Sequence, residues 1–433
     1  MGCRSISRAD PGEHDASRAG EQRPGSRGGV PVALLLFLLA LHIINQIDRQ
    51  LIAAFAADIM RDLGLNRAEF ALIAGLAFSG VYAVTALVAG VLADRLGRVR
   101  VLSAGLGVWS LFTALAGLAQ GFWTMLGVRP LVAAGEATLI PTASNIILSR
   151  VASRYRAAAL GLFFGGIPLG IGGGFLIAGA LGPILGWRYT FVAMGLIGLA
   201  ALIMLTRLKD TPPELTQQPT LIGNLGALVR VYRRTPRVFW ASLAIIAAHA
   251  HTATGPFVQL WLVAEKGYDP GAAAALYGLM FVTVGLAGTF GAGLLGDWAH
   301  ARLGWDRAHT VFLTLLVLGP LLPLYRLAPG GSPLFLIGMV GSVLFMTVIY
   351  GPIFAVIEEL LPPLLKATST GLNMLVINIF AIGAVSFGIG LSSDALATAG
   401  SHHSWTWPLM GADAIALLAL PFAWLARQSR AEV

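Results

Sequence analysis

Residues 90–100, Gly90-Val91-Leu92-Ala93-Asp94-Arg95-Leu96-Gly97-Arg98-Val99-Arg100, close one long apolar run that begins near Ala68 and precede another that begins near Val101. An acid and three arginines cannot rest in hydrocarbon, so this stretch is a charged hinge at a membrane surface. Gly90 and Asp94 stand at i, i+4 spacing and share a helix face. Gly90 is therefore expected to admit another helix closely, with Asp94 at the surface and Arg95, Arg98 and Arg100 just beyond. A looser copy follows in the second half of the chain, where Gly293 and Asp297 keep the same spacing ahead of Arg302 and Gly304. An ungapped offset of 203 residues joins Asp94 to Asp297, and the same offset carries Asp48 onto His251.

Composition sets the class around this hinge. Of 433 residues, 56% are hydrophobic and 12% charged, and the mean hydropathy is +0.77, which is more apolar matter than a soluble core hides. Spans of about 20 residues are needed to cross a bilayer. Twelve apolar runs begin near Val30, Ala68, Val101, Phe122, Ala157, Tyr189, Val238, Ala272, Thr310, Leu334, Ala367 and Trp405. They lack the polar–apolar alternation of a membrane β-barrel. The expected fold is an all-α integral membrane protein, with twelve transmembrane helices in two pseudo-symmetric six-helix bundles. The bundles are expected at 30–206 and 238–428, joined by a cytoplasmic linker over 207–237. A disordered tail over 1–29 and a short tail over 429–433 complete the chain.

With the N-terminus taken as cytoplasmic, 22 of the 29 Lys and Arg fall on the inner side. Arg61, Arg67, Arg188, Lys266 and Arg326 fall outside, and Arg49 and Arg129 lie within the membrane. The positive-inside rule then puts both termini in the cytoplasm of a multi-pass protein of the plasma (inner) membrane. The net charge of +8 reports this topology, and no nucleic acid is implied. The single Cys3 excludes an intramolecular disulfide. No zinc site, phosphate-binding loop or nucleophile–base constellation occurs, so neither an enzyme nor a metal or cofactor is expected.

The first helix departs from plain hydrophobicity with His42, Asn45, Asp48 and Arg49, a polar stripe at helical spacing. Mid-membrane charges cost about 2.5 to 3.5 kcal/mol each on insertion scales and need partners. The fourth helix supplies Arg129 and Glu136, seven residues apart and so about 10 Å apart on one face. The four charges sum to zero, and they suit either a transport site or a packing network. The fifth helix crowds Gly165, Gly166, Pro168, Gly170 and Gly172 to Gly174 into ten residues. A moving gate or a static tight crossing would both use them. Gly186-Trp187-Arg188 reads as a surface anchor opening the sixth helix, and 221–231 as an amphipathic helix on the inner surface or a solvated linker. In the second half, His249 and His251 lie where the repeat puts the first helix's stripe, with Pro256 as a kink. Tyr350, Asn373 and Asn378 follow, and Asp413 is the one clear acid within a span of this half.

The spacing of Gly90, Asp94-Arg95 and Gly97-Arg98 resembles the signature of the major facilitator superfamily, and the parallel repeat of two six-helix halves fits it. Within that superfamily, Asn45 to Arg49 (NQIDR), Gly135-Glu136-Ala137, the stretch from Arg156 through Ile167-Pro168 to Gly174, and Ala367 to Gly371 with Ser393-Asp394 resemble the spinster branch. That branch comprises exporters of sphingosine-1-phosphate and lysophospholipids, and the chain resembles a bacterial homologue. Gln46 stands where the branch usually has an aromatic. The resemblance implies Asp48 and Glu136 as proton-titrating acids and Arg49 and Arg129 as their regulators or head-group ligands. It also implies Asp94 as a cytoplasmic latch.

The expected activity is proton-linked secondary transport of an amphipathic or lipid-like anion by rocking of the two halves. The substrate site is expected to draw on Asn45, Arg49, Arg129, His251, Tyr350 and Asn373, and the gate on Gly90, Asp94, Arg95, Gly97, Arg98 and Asp297. Protons, the amphiphile and membrane lipids are the partners, and the carrier is expected to be a monomer. A carrier of small organic anions or drugs is the nearest alternative. A lipid scramblase or a non-transporting receptor are the alternatives from other classes.

Overall fold

The structure is a computed structural model describing residues 31–208, 210, 221–348 and 350–428. The tails expected at 1–29 and 429–433 and most of the linker between 209 and 220 lie outside the described residues. Among the described residues nine helical stretches are long and apolar enough to cross a membrane; dividing one at Gly186 and adding the shorter helices within 236–266 and 333–359 orders the chain as twelve spans. The first four are α1 (Val32–Ala54), α2 (Arg67–Leu96), α3 (Arg98–Ala116) and α4 (Phe122–Arg150). A continuous helical stretch, Ser153–Leu205, holds α5 (153–185) and α6 (187–205), divided at Gly186, whose φ of 68° and ψ of 171° break the helix. The second half comprises α7 (236–266), α8 (Pro270–Leu303), α9 (Arg307–Leu327), α10 (Pro333–Val348 with Tyr350–Glu359), α11 (Leu364–Thr398) and α12 (Thr406–Gln428). The two sets of six form the two bundles.

Lipid tails are as apolar as leucine, so helices here associate through close packing rather than through escape from solvent. The glycines of α5 do this work on two faces. A Cβ on Gly170 would come within 2.4 Å of Gln46 Cβ and 2.7 Å of the Ile43 carbonyl oxygen on α1. One on Gly172, on the opposite face, would come within 2.4 Å of the Gly278 carbonyl oxygen on α8. The first contact is a tight crossing within one half, and the second joins the halves. Around Gly165, three residues before Pro168, the backbone stays helical, with φ of −58° and ψ of −18°.

Irregular turns occur where spans cross or bend. Six residues of α2, Leu72–Ala77, and eight of α11, Ile377–Ala384, are wound in π-helical turns and pack on each other. His249–Thr254 tightens to a 3-10 turn just before Pro256 in α7. α4 breaks after Glu136, ahead of Pro141, where Thr138 Oγ1 donates to the Gly135 carbonyl at 2.8 Å and Thr142 Oγ1 to the Thr138 carbonyl at 2.6 Å. Both carbonyls also accept backbone N–H groups, Gly135 from Thr138 at 3.2 Å and Thr138 from Thr142 at 3.3 Å, so each hydroxyl adds a second bond at this turn.

The buried apolar side chains form three clusters, and their placement fixes the conformation. At the end of the bundle opposite the termini, one cluster unites both halves: Leu51, Phe55 and Phe70 pack with Phe257, Trp261 and Trp405. At the end that bears the termini the core is split. Leu38, Leu102, Ile147 and Leu205 belong to a first-half cluster, whereas Val238, Ile245, Ile357 and Ala419 belong to a second-half cluster. The halves are thus sealed together at the far end and separate at the terminal end.

The hinge residues agree with this. Nothing lies within 4 Å of a Cβ placed on Gly90 or on Gly293. The expectation that Gly90 receives a neighbouring helix is not met in this conformation, because the terminal ends of the halves stand apart.

One further expectation is corrected. Trp187 is buried rather than a surface anchor, its indole N–H donating to Asp62 Oδ2 at 2.9 Å, which holds that interhelical carboxyl below its ordinary range. Arg326, one of the five cations that the charge count puts outside, lies at the far end of α9 and is fully buried there. A polar residue at a helix end reads as solvated until its partner, distant in sequence, is known.

Candidate functional site

The charges of the first half converge. Asp48 on α1 is 2% exposed, Arg129 1% and Glu136 0%, while Arg49 is half-buried. Thr113 on α3 donates to Asp48 Oδ2 at 2.5 Å. The Phe78 ring of α2 is flanked by two guanidiniums, Arg49 at 5.0 Å and Arg129 at 4.7 Å from its centroid, and Arg49 also lies 4.7 Å from the Tyr82 ring. Cation–π contacts of this kind stabilise by about 2 kcal/mol or more when desolvated, so the two rings hold both arginines without neutralising them. The charges of Asp48, Arg49 and Arg129 all act on Glu136.

The set is under-satisfied. Asp48 Oδ1, both carboxylate oxygens of Glu136, Nε and Nη1 of Arg129, and Asn45 Nδ2 have no hydrogen-bond partner among the described residues. A buried group left unsatisfied costs about 1 to 3 kcal/mol, more when charged. A network whose only task was packing would be expected to close these bonds. Orphaned donors and acceptors side by side are instead what a site that takes up an anionic group and protons requires.

The remaining expected residues are distributed more widely. His42 is turned to α5, its Nδ1 2.9 Å from the Phe163 carbonyl oxygen and its ring stacked on Phe163 at 4.4 Å. Asn373 is buried and gives its amide to Ser242 Oγ at 3.3 Å. Ser242 in turn reaches Tyr232, whose hydroxyl lies 3.0 Å from Ser369 Oγ. Tyr232 belongs to the linker helix Leu221–Arg234, so Asn373 helps seat that helix on the second half. The helix buries Leu228 and exposes Arg230, Arg233 and Arg234, as an amphipathic surface helix does. The side chains of Asp297 and Tyr350 lie outside the described set.

At the hinge, Arg98 donates to the Asn145 carbonyl at 3.3 Å, Asp94 is half-buried and Arg95 is exposed. Gly97 has a φ of 101°, and a Cβ there would strike the carboxylate of Asp210. That carboxylate, from the linker, accepts from the backbone N–H groups of Val99 and Arg100, both at 3.2 Å, and so caps α3. Glycine at 97 is required on both counts.

Two constellations escaped the sequence. At the far end, Asp394 of α11 accepts from the backbone N–H groups of Arg67 (3.2 Å) and Ala68 (2.8 Å), capping α2 from the other half. The Arg67 guanidinium bonds Ser393 Oγ at 2.7 Å and Ser404 Oγ at 2.9 Å and lies 4.4 Å from the Trp405 ring. Inside the second half, Arg326 pairs with Asp413 at 2.9 Å, and Asp413 Oδ1 lies 2.6 Å from His251 Nδ1. His251 has both ring nitrogens engaged, so it does not stand free as a ligand. The signal for this cluster was Asp413 itself, an acid in a span with no charge assigned to balance it. Among the described residues no group of His, Cys, Asp and Glu is arranged to hold a metal ion.

Twelve spans in two bundles, a shared core at one end only and charges at mid-span define a membrane carrier. The chain belongs to the Major Facilitator Superfamily, whose model matches residues 38–385. It is 28% identical over 393 residues to an MFS-type efflux pump of Mycolicibacterium smegmatis, covering 88% of this chain and 87% of that one. It is 32% identical over 198 residues to the hexuronate transporter of Bacillus subtilis, 46% of each chain. Human protein spinster homolog 1 is 28% identical over 230 residues, 52% of this chain and 40% of that protein. A solved bacterial homologue of the human lysosomal transporter spinster, inward-facing and unoccupied, matches with a TM-score of 0.80 at 21% identity. That match covers 94% of this chain and 98% of the other. The protein is a multi-pass membrane transporter of this superfamily and no enzyme.

Proposed function

We propose that the chain is a proton-linked secondary transporter of an amphipathic, lipid-like anion. The observation that carries this is the under-satisfied set Asp48, Arg129 and Glu136, buried at mid-span with five charged-group atoms unbonded among the described residues. Protons suit the carboxylates, and an anionic head suits Arg49 and Arg129. The second half's buried charges are paired with one another, which leaves its remaining surface to an apolar tail. Similarity to spinster homologues over about half of this chain supports the lipid-like class.

With the terminal end cytoplasmic, as the distribution of Lys and Arg favours, the split core corresponds to an inward-open carrier in a plasma membrane. Rocking about the α5–α8 and α2–α11 crossings would close that end and open the other. The hinge residues Gly90, Asp94, Arg95, Gly97 and Arg98 would then meet the partner half. Similarity to the hexuronate transporter favours a second reading, a small organic anion held by the same arginines. Flux measured in proteoliposomes for a lysophospholipid and for a short-chain hydroxycarboxylate separates the two. The first should move and be stimulated by a pH gradient; transport of the carboxylate alone would overturn the lipid-like class.

A further inference from the structure

The second half contains a buried hydrogen-bonded chain that the proposed coupling does not use. It runs from Tyr325 on α9 to Ser342 on α10 (3.4 Å), then to His251 Nε2 on α7 (2.8 Å). From His251 Nδ1 it continues to Asp413 Oδ1 on α12 (2.6 Å), and from Asp413 Oδ2 to Arg326 Nε on α9 (2.9 Å). Every member is at most 5% exposed. The Arg326 guanidinium lies over the Trp261 and Tyr325 rings, at 4.9 and 4.4 Å, and its Nη1 and Nη2 have no hydrogen-bond partner among the described residues.

Three of the four helices of this cluster, α7, α9 and α10, are the counterparts in the repeat of α1, α3 and α4, which carry the first-half site. The offset of 203 residues carries Asp48 onto His251, and a common offset of 213 carries Thr113 onto Arg326 and Arg129 onto Ser342. Asp48 takes its one hydrogen bond from Thr113, whereas His251 reaches Arg326 through an inserted Asp413. A carboxylate on α1 that accepts protons is thus matched on α7 by an imidazole, the side chain whose ordinary pKa of about 6.5 lies nearest to physiological pH.

We propose that His251 is a second proton-accepting site, located in the second half and clamped between Asp413 and Ser342. In the neutral ring Nδ1–H donates to Asp413, and Nε2 accepts from the Ser342 hydroxyl. A proton added at Nε2 turns that hydroxyl over: Nε2–H donates to Ser342 Oγ, and the Ser342 hydroxyl donates to the Tyr325 oxygen, the direction it has in the structure. Hydroxyls permit this reversal because each both donates and accepts.

The charge of the triad Arg326, Asp413 and His251 goes from zero to plus one, and both ring nitrogens stay bonded. The groups facing His251 are Asp413 from α12, Arg326 and Tyr325 from α9, and His249 on its own turn. Tyr277 of α8 lies beside Arg326, while Glu265 and Lys266 close the far end of α7. The Glu265 carboxylate is taken up by the Trp405 and Thr406 N–H groups and Lys266 by the Arg326 and Ala328 carbonyls. Proton binding at His251 stands on this geometry alone; its use in transport rests on the proposed proton coupling.

The test is nitrogen NMR of the full-length protein in nanodiscs, labelled with 15N-histidine, with the His251 resonances assigned by their loss in His251→Gln and His251→Asn. Either amide can bond both neighbours without titrating. The His251 signals should move between the neutral and the doubly protonated positions over the range in which an imidazole changes charge, about pH 5 to 8. Asp413→Asn, which removes the facing negative charge, should lower the midpoint, and Arg326→Gln should raise it. Resonances fixed across that range, or midpoints unmoved by both variants, would overturn the proposal. The readout needs no substrate, so it stands or falls separately from coupling at Asp48 and Glu136.

Discussion

Thr113 donates a 2.5 Å hydrogen bond to one carboxylate oxygen of Asp48, while the other oxygen, equally buried, has no partner among the described residues. The asymmetry divides the carboxyl group by task. One oxygen is anchored to α3, and the other is left for a proton or a ligand. Thr113→Val keeps the shape and removes the anchor. It should lower stability by about 1 to 3 kcal/mol, the cost of an unsatisfied buried acceptor, read as a lower midpoint of thermal unfolding in detergent. An unchanged midpoint would mean that the anchor contributes nothing.

Arg129 faces the opposite situation, a cation held by an aromatic ring and the charges of Asp48 and Glu136. Arg129→Ala removes the buried cation between two carboxyls and should cost about 3 to 5 kcal/mol, more than Asp48→Asn or Glu136→Gln, which keep the side chain's size and leave both arginines on their aromatic rings. Comparative melting of the three variants checks the order. Equal stability of all three would contradict the view that Arg129 balances the set.

The α1–α5 crossing makes a local prediction with its own control. Gly170→Ala places a methyl group 2.4 Å from Gln46 Cβ and should depress stability and the yield of monodisperse protein, because neither helix backbone can yield. Gly161→Ala, where nothing lies within 4 Å, should be tolerated. Similar behaviour of the two would show that the crossing is looser than drawn.

Much of this fold was legible in the chain, for reasons that particular residues make plain. Gly90 to Arg100 marks a surface crossing because charge is confined there, and twelve apolar runs translate directly into spans. Asp48, Arg49, Arg129 and Glu136 could be grouped because each lies inside a span at helical spacing with no neighbour of opposite sign on solvent. Arg326 and Asp413 could not, since their pairing spans 87 residues and Arg326 sits at a helix end, where an exposed cation is the ordinary case. The Asp394 cap on α2 was hidden in the same way. A carboxylate at one helix end gives no sign of which distant N-terminus it serves. Gly90 shows a different limit, since its contact depends on the conformation adopted.

The two carboxylates at opposite ends of the halves should act with opposite sign on conformation. Asp394 bonds across the halves in the state seen here, so Asp394→Asn should populate the form open at the far end. Cysteines introduced beside Phe70 and Phe257 would then react faster with a membrane-impermeant maleimide. Asp94→Asn, proposed to weaken the latch that forms when the terminal end closes, should instead raise the reactivity of cysteines lining that end. Unchanged labelling in either variant would remove the corresponding residue from the gate.

Coupling is the central claim, and it requires that a proton and an anionic head compete for the charges of Asp48, Arg129 and Glu136, each altering affinity for the other by the same factor. The most direct measurement is pH-gradient-driven accumulation of a lysophospholipid in proteoliposomes by the parent and by the Asp48→Asn, Glu136→Gln double variant, at matched amounts of folded protein. The double variant mimics the permanently protonated form. It should still exchange substrate down its own gradient but show no accumulation driven by the pH gradient. Accumulation equal to the parent's would contradict proton coupling at these two acids.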